Sequence, residues 1–380
     1  MGPAAESDVV VVGAGPAGAA VATMLGQAGV RTLLLDRATF PRDKPCGEGL
    51  MPAGVEVLRS IGVPVDAMPR LEGVSYRVPG AGSADGVFTQ GRTGRGARRL
   101  MFDRMLAERA ASTANVTARF GCEVKGVAFD NGAVRVSTGA GEVRARNVIG
   151  ADGLRSRVAK WVGWAGAPRR PGRYALVGHA AAPGHRFDRV VVTLLDGCEV
   201  YAAPASHDEV LVAVLGGKDG LGGAGERARD AYARRVGQAH PELHIDGAPV
   251  HGAGPFWVRP SRVAGRGVFL LGDAGGFLDP LTGDGMSEAL VAARTLANLL
   301  AAGRPDAARA YSRWERRQWR RRVFVSRLAL SLTGTPLLAR RALRSLQRRP
   351  STLNRLLDVN DGTQSLWSLT PRDWAALAGV

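Results

Sequence analysis

The stretch from Asp8 to Arg37, DVVVVGAGPAGAAVATMLGQAGVRTLLLDR, limits the possible folds more than any other part of the chain. Its apolar run, Val9 to Val12, is short enough for one buried strand and is closed by glycine. Gly13, Gly15 and Gly18 then spell G-x-G-x-x-G where strand should turn into helix. The first glycine permits the tight turn, the second lets a pyrophosphate approach the backbone, and the third lets the helix pack on the strand. Pro16 and Ala17 open that helix and complete a candidate phosphate-binding turn, because a helix start offers unpaired N–H groups and a positive dipole end. Arg31 to Leu35 reads as a second strand. Asp36 follows, roughly twenty residues after the fingerprint, where a carboxylate accepts the ribose hydroxyls of an adenine dinucleotide.

With 380 residues, the chain has room for two domains, or for one large domain with an insertion. An apolar fraction of 45% with 22% charged residues is that of an ordinary globular protein. Cys46, Cys122 and Cys198 are scattered without metal-like pairing, and Pro241 between His240 and His244 breaks a helical metal face, so no metal site is expected. The same cysteine usage favours a reducing compartment, read as cytoplasmic. The first ten residues show no basic region followed by an apolar core, so no secretory signal is expected.

The formal net charge is +17, and nearly all of the basic residues are arginine. Much of the excess lies between Arg304 and Arg349. Few aromatics are interleaved there, which argues against nucleic acid. A peripheral membrane surface or an acidic carrier protein fits these basic C-terminal helices better.

After Asp36 the chain reads RATFPRDKPCGEGL, a proline- and glycine-punctuated loop from Arg37 to Leu50. This segment, directly after the second strand, resembles the FAD-dependent oxidoreductases that unite geranylgeranyl reductases, flavin halogenases and aromatic hydroxylases of the para-hydroxybenzoate hydroxylase type. The resemblance implies an α/β fold: a Rossmann-like, glutathione-reductase-type FAD-binding domain with an inserted antiparallel β-sheet substrate domain and a helical C-terminus. It also implies that Arg37, Cys46 and Gly47 meet the cofactor. Arg99, four residues before Asp103 at a helix start, matches an arginine that contacts the dinucleotide in the family. Val124 stands where the family meets the adenine through the backbone, and Asp152 in VIGADGLRSRV is similar to the Asp-Gly motif of flavin hydroxylases.

A second anchor is VFLLGDAGGFLDPLTGDGMSEAL, Val268 to Leu290. A buried strand ends at Gly272 and Asp273, whose carboxylate can bond ribityl or ribose hydroxyls. Pro280, Gly283, Gly285 and Met286 then lead into a helix whose positive end can face the pyrimidine side of a flavin and stabilise the anionic reduced ring.

The expected domains are a discontinuous FAD-binding domain (1–70, 95–165 and 265–330), a substrate-binding β-sheet domain (71–94 and 166–264) and a C-terminal helical segment (331–380). Alternating patterns predict strands at Tyr174–Gly178, Val190–Leu195, Glu199–Ala203 and Val210–Leu215. A helix is expected over Ala224–Ala239 and a strand over Gly254–Pro260. His179, Glu199, Tyr201 and Trp257 are pocket-wall or core residues in this reading, with neither role favoured.

Three chemistries compete. A halogenase should carry W-x-W-x-I-P and an active-site lysine; Trp161 and Trp164 are spaced differently, and the lysines are read as lying elsewhere. A geranylgeranyl reductase suits the C-G-E-G-L loop, but its Y-x-W-x-F-P strand is replaced by VYAAPAS, Val200 to Ser206. The expectation is therefore an FAD-dependent monooxygenase using NAD(P)H and O2 on a polycyclic, aromatic or isoprenoid small molecule, plausibly in natural-product biosynthesis. Flavin alkene reduction is the alternative, and a noncatalytic flavin-fold binding protein is the rival of another class. Cys46 is the single catalytic candidate near the ring, although a small residue in a tight loop explains it more readily.

Overall fold

The computed structural model describes residues 7–168, 172–223, 225–245, 247, 249 and 250–379. The N-terminal residues read as lacking a secretory signal, and Ala224 at the expected helix start, lie outside that set.

The fold is mixed α/β and has three parts. Strand Ser7–Val12 lies at the centre of an eight-stranded sheet, parallel to Thr32–Leu35 on one side and to Gly141–Gly150 on the other. Val116–Arg119 and Val268–Leu270 extend this sheet in parallel. Parallel strands are covered on both faces, which is why Val9, Val10 and Val11 are all buried. The hairpin Val124–Asp130 and Ala133–Thr138 hangs from Gly141–Gly150, and its turn has Asn131 and Gly132 both at positive φ, 39° and 84°.

A seven-stranded sheet packs beside it, in the order His251–Ala253, Tyr174–Ala181, Glu209–Gly216, Cys198–Pro204, Val190–Leu195, Gly73–Val78 and Gly82–Val87. Its pairs are antiparallel except where Val190 faces Val74, at the seam between two distant pieces of chain. The helices Pro336–Arg348, Pro350–Asp361 and Pro371–Leu377 cover one end of this sheet through Val78, Ala84, Leu343, Leu346 and Leu353.

Two local expectations fail. Gly254–Pro260 is not a strand: Trp257 has φ 65°, and only Val258 makes isolated bridges, to Pro168 and Phe277. The apolar residues there pack as a loop, because a tryptophan in the left-handed region cannot continue a ladder. The helix expected from Ala224 is seen over Ala228–Ala239, after a glycine-rich approach.

Candidate functional site

A cavity of about 480 Å³ lies between the two sheets. The two sequence anchors, more than 250 residues apart, both contribute to its wall: Gly15, Pro16 and Ala17 from the first, and Gly272, Asp273, Pro280, Gly283, Gly285 and Met286 from the second. They adjoin where Gly272 approaches Ala17, a Cβ on the glycine standing 3.1 Å from the alanine methyl.

The turn at Gly13 is built as its glycines require. Gly13 has φ 103°, and a Cβ there would stand 2.5 Å from the Ala151 carbonyl oxygen. Gly18 does not line the cavity; a Cβ on it would collide with the Gly13 carbonyl. Gly15 alone of the three keeps open space, its nearest neighbour being Arg42 at 3.5 Å. Two glycines thus close strand on helix, and one leaves room for a ligand.

Both helices that begin at the cavity lack a side-chain cap. Helix Pro16–Gln27 starts at Gly15 and helix Gly285–Ala301 at Asp284, and neither residue bonds the first turn. Ser156, Thr335 and Thr370 cap their helices, while others, such as Pro52–Ser60 and Ala228–Ala239, also start without a side-chain cap. Two helix starts on one cavity each favour negative charge. That pair suits a pyrophosphate and the pyrimidine edge of an isoalloxazine.

The acidic residues divide by what they already hold. Among the described residues nothing hydrogen-bonds or pairs with the Asp273 carboxylate, which faces the cavity. Asp36 is buried just outside the wall, and its two oxygens accept the N–H groups of Ala14 at 2.6 Å and Ala38 at 2.8 Å. Each of those oxygens retains acceptor capacity. Asp152 lines the cavity, but its carboxylate accepts from Ser156 Oγ and from the N–H of Arg157, both at 2.6 Å, and so holds a helix start in place. Arg37 is in the wall, whereas Val124 is buried in the core beneath the parallel sheet.

Cys46, Gly47 and Arg99 also meet at the wall. Arg99 donates to both oxygens of Asp103, at 2.6 and 2.7 Å, and Arg42 adds a 3.2 Å ion pair to the same carboxylate. Burial opposes the Arg99 charge, but Asp103 and neighbouring Cys46 outweigh it and push the guanidinium further above its ordinary range.

Further residues at the wall and behind it complete the site. Glu48, buried and at φ 56°, accepts the Arg99 N–H at 2.8 Å and lies 3.0 Å from His179 Nε2. Lys44 reaches the wall, which corrects the expectation that every lysine lies elsewhere. Arg173 joins Asp279 at 2.7 Å and Glu199 at 2.6 Å, tying the antiparallel sheet to the second anchor; burial raises the Glu199 carboxyl even against this arginine. Trp257 is not part of the wall.

Tyr201 is the most informative of the four open pocket-wall candidates. It is 3% exposed, and its hydroxyl has no hydrogen-bond partner. It stands among Gly47, Gly49 and Gly283, and it lines both the main cavity and a second, apolar crevice. Met51, Val74, Val192, Val325, Ala329 and Leu357 belong to that crevice. Burial, then Cys46 and Glu48, push the phenol well above its ordinary range, so it stays protonated.

Open helix starts, a glycine cradle and a free Asp273 fit FAD, and comparison with known proteins agrees. A family model described as an FAD binding domain matches residues 6–178. The menaquinone reductase of Mycobacterium tuberculosis (strain ATCC 25618 / H37Rv) is 31% identical over 326 residues, covering 78% of this chain and 76% of that one. The chain is an FAD-dependent oxidoreductase of the family to which this menaquinone reductase belongs. Digeranylgeranylglycerophospholipid reductase 1 of Methanopyrus kandleri is 29% identical over 311 residues, covering 76% of this chain and 79% of that one. Among solved structures, the geranylgeranyl bacteriochlorophyll reductase-like protein of Thermoplasma acidophilum superposes with TM-score 0.73 at 20% identity, over 98% of this chain and 96% of that one. The flavin-dependent brominase Bmp2 superposes with TM-score 0.80 at 20% identity, over 94% and 93%. At such identities these two speak for the fold of this FAD oxidoreductase alone.

Proposed function

We propose that the protein is a flavin alkene reductase that saturates a double bond of an isoprenoid chain, with NAD(P)H as the source of electrons. The observation that carries this reading is the buried, unpartnered hydroxyl of Tyr201 where the main cavity meets the apolar crevice. Saturating an alkene needs a hydride equivalent at one carbon and a proton at the other. Bound and reduced, FAD supplies the hydride equivalent. The chain supplies the rest: the crevice holds apolar substrate away from water, and the Tyr201 O–H gives its proton to the second carbon. Glu48, which lines the same cavity and pairs with His179, is the nearby group we assign to replacing that proton.

In this reading the segments 71–94 and 166–264 form the substrate side, Gly13 to Gly18 and Asp36 hold the adenosine half of FAD, and Asp273 to Met286 hold the flavin half. Names of relatives point the same way, since menaquinone and digeranylgeranylglycerophospholipid both bear isoprenoid chains.

Hydroxylation with O2, the reading that the sequence favoured, is the second possibility. One feature favours it: the strand Cys198–Pro204 lacks the aromatic Y-x-W-x-F-P pattern of the reductases, and Tyr201 is its single residue in the cavity wall. A single experiment separates the two. Flavin reduced without oxygen is mixed with a geranylgeranyl substrate. Reoxidation of the flavin with a product two hydrogens heavier supports reduction. Turnover that requires oxygen and adds one oxygen atom sinks it in favour of hydroxylation.

A further inference from the structure

Five of the seven large apolar side chains exposed among the described residues are Phe324, Leu337, Leu338, Trp367 and Trp374. All belong to the last 57 residues of the sequence. Trp367 is 95% exposed and Leu337 77%, values that a packed interior never leaves on tryptophan and leucine.

Two of these residues meet directly, and the C-terminal helices link their segment to that of Leu337 and Leu338. Phe324, on helix Ala307–Thr333, meets Trp374 of helix Pro371–Leu377 edge to face, with ring centroids 5.7 Å apart. The chain just beyond Trp374 returns to helix Pro336–Arg348, where a Cβ on Gly379 would stand 3.0 Å from Arg341. That helix buries Ala339, Ala342, Leu343 and Leu346, and exposes Leu337, Arg341, Arg344 and Arg348 at helical spacing on the other side. It is apolar inward, and outward it carries a leucine tip followed by a row of cations.

The same region holds the charge. Residues 304–349 contain fourteen arginines against Asp306 and Glu315, which is +12 of the chain's +17. Among the described residues no acidic side chain pairs with Arg316, Arg317, Arg320, Arg341, Arg344 or Arg348. Unpaired cations on the helices that carry exposed Phe324, Leu337 and Leu338, with exposed tryptophans in the same C-terminal segment, are the two components of interfacial binding: aromatic rings settle at headgroup level, and arginines meet anionic lipid.

We infer that this face docks the protein on the surface of an anionic lipid bilayer. No helix among the described residues is long and apolar enough to cross a membrane, so the contact is peripheral. Docking also has a use for the site, a point that rests on the reading of an isoprenoid substrate. Val325 and Ala329 of the Phe324 helix, with Leu353, Leu356 and Leu357, line the crevice behind Tyr201. The helix that carries Phe324 therefore also bounds the apolar crevice behind Tyr201.

The test is sedimentation of the flavin-loaded, full-length protein with vesicles of phosphatidylcholine alone and of phosphatidylcholine with phosphatidylglycerol. The expected result is cosedimentation with the anionic vesicles that weakens as salt screens the arginines. The combined Trp367→Ala, Leu337→Ser and Leu338→Ser variant should bind at least about tenfold more weakly, because apolar insertion supplies part of the affinity. Met101→Ser, an exposed apolar residue on another helix, should bind as wild type. Flavin absorbance identifies a variant that has misfolded, and also shows separately whether the cofactor assignment stands. Protein that stays in the supernatant with every vesicle assigns the face to an acidic protein and overturns the inference. Equal binding to both vesicle types, or by the triple variant, overturns it as well.

Discussion

The ring of Tyr201 lies over Gly47, 3.5 Å from where a Cβ of that residue would stand, so the C-G-E-G loop and the antiparallel sheet meet at one side chain. Tyr201→Phe tests whether the hydroxyl is the proton donor. The variant should keep its flavin and lose no stability, because the hydroxyl has no protein partner to forfeit. Alkene-dependent reoxidation of the reduced flavin should slow by about 100-fold or more, the usual weight of a positioned acid. A wild-type rate in single turnover removes Tyr201 from the mechanism.

Gly18→Ala should be far more damaging than Gly15→Ala. The new methyl at position 18 meets the Gly13 carbonyl, whereas at position 15 its nearest neighbour is the Arg42 guanidinium at 3.5 Å, an ordinary contact distance. Overpacking of this kind costs about 1–3 kcal/mol, and here it also displaces the helix start that faces the cofactor. Denaturant midpoint reads the packing role and flavin content reads the ligand role. Gly18→Ala protein as stable as Gly15→Ala contradicts this division of roles.

The glycine turn, the flanking strands and the Asn131-Gly132 hairpin were readable because each is dictated by neighbours within a few residues. Short-range pattern also revealed the second anchor, since Gly272, Asp273 and the loop to Met286 are contiguous. What pattern could not show is pairing across the chain. Glu48 meets His179 from 131 positions away, and nothing near either residue announces it. Alternation put Glu199 and Tyr201 on one face of their strand, but only the assembled sheets show that Tyr201 faces the cofactor loop while Glu199 is held by Arg173. The loop Gly254–Pro260 deceived for the opposite reason: Phe256, Trp257 and Val258 look like strand residues, yet tertiary packing sets Trp257 at positive φ.

Asp273 offers the most direct check on the cofactor geometry. Its carboxylate is uncommitted among the described residues, while Asp36 and Asp152 already hold backbone groups. Asp273→Ala should therefore weaken FAD without unfolding the protein. Hydrogen bonds to a charged group contribute about 1.5–3 kcal/mol, so affinity should fall by about ten- to a hundredfold. Titration of apoprotein with FAD, followed by flavin fluorescence, measures the change. Unaltered affinity would place the flavin away from this carboxylate.

Asp361 should give the protein a pH-dependent weakness near neutrality. Burial pushes its carboxyl up to about 6, despite the N–H of Ala53 at 3.0 Å and the Arg92 ion pair at 3.1 Å, both of which favour the charged form. An acid whose folded-state pKa exceeds its unfolded value of 3.8 binds its proton more tightly when folded. Its contribution to stability is fully present below pH 3.8 and is lost as pH rises through about 6. The loss amounts to up to about 2–3 kcal/mol by pH 7. Asp361→Asn removes the titration, and Arg92 retains Asp358 at 2.8 Å as its partner. Denaturant midpoints compared between pH 4.5 and 7.5 should thus fall more steeply for the wild type than for the variant, by about that amount. Parallel pH profiles would mean that Asp361 is ionised in the folded protein throughout, and that Arg92 outweighs burial.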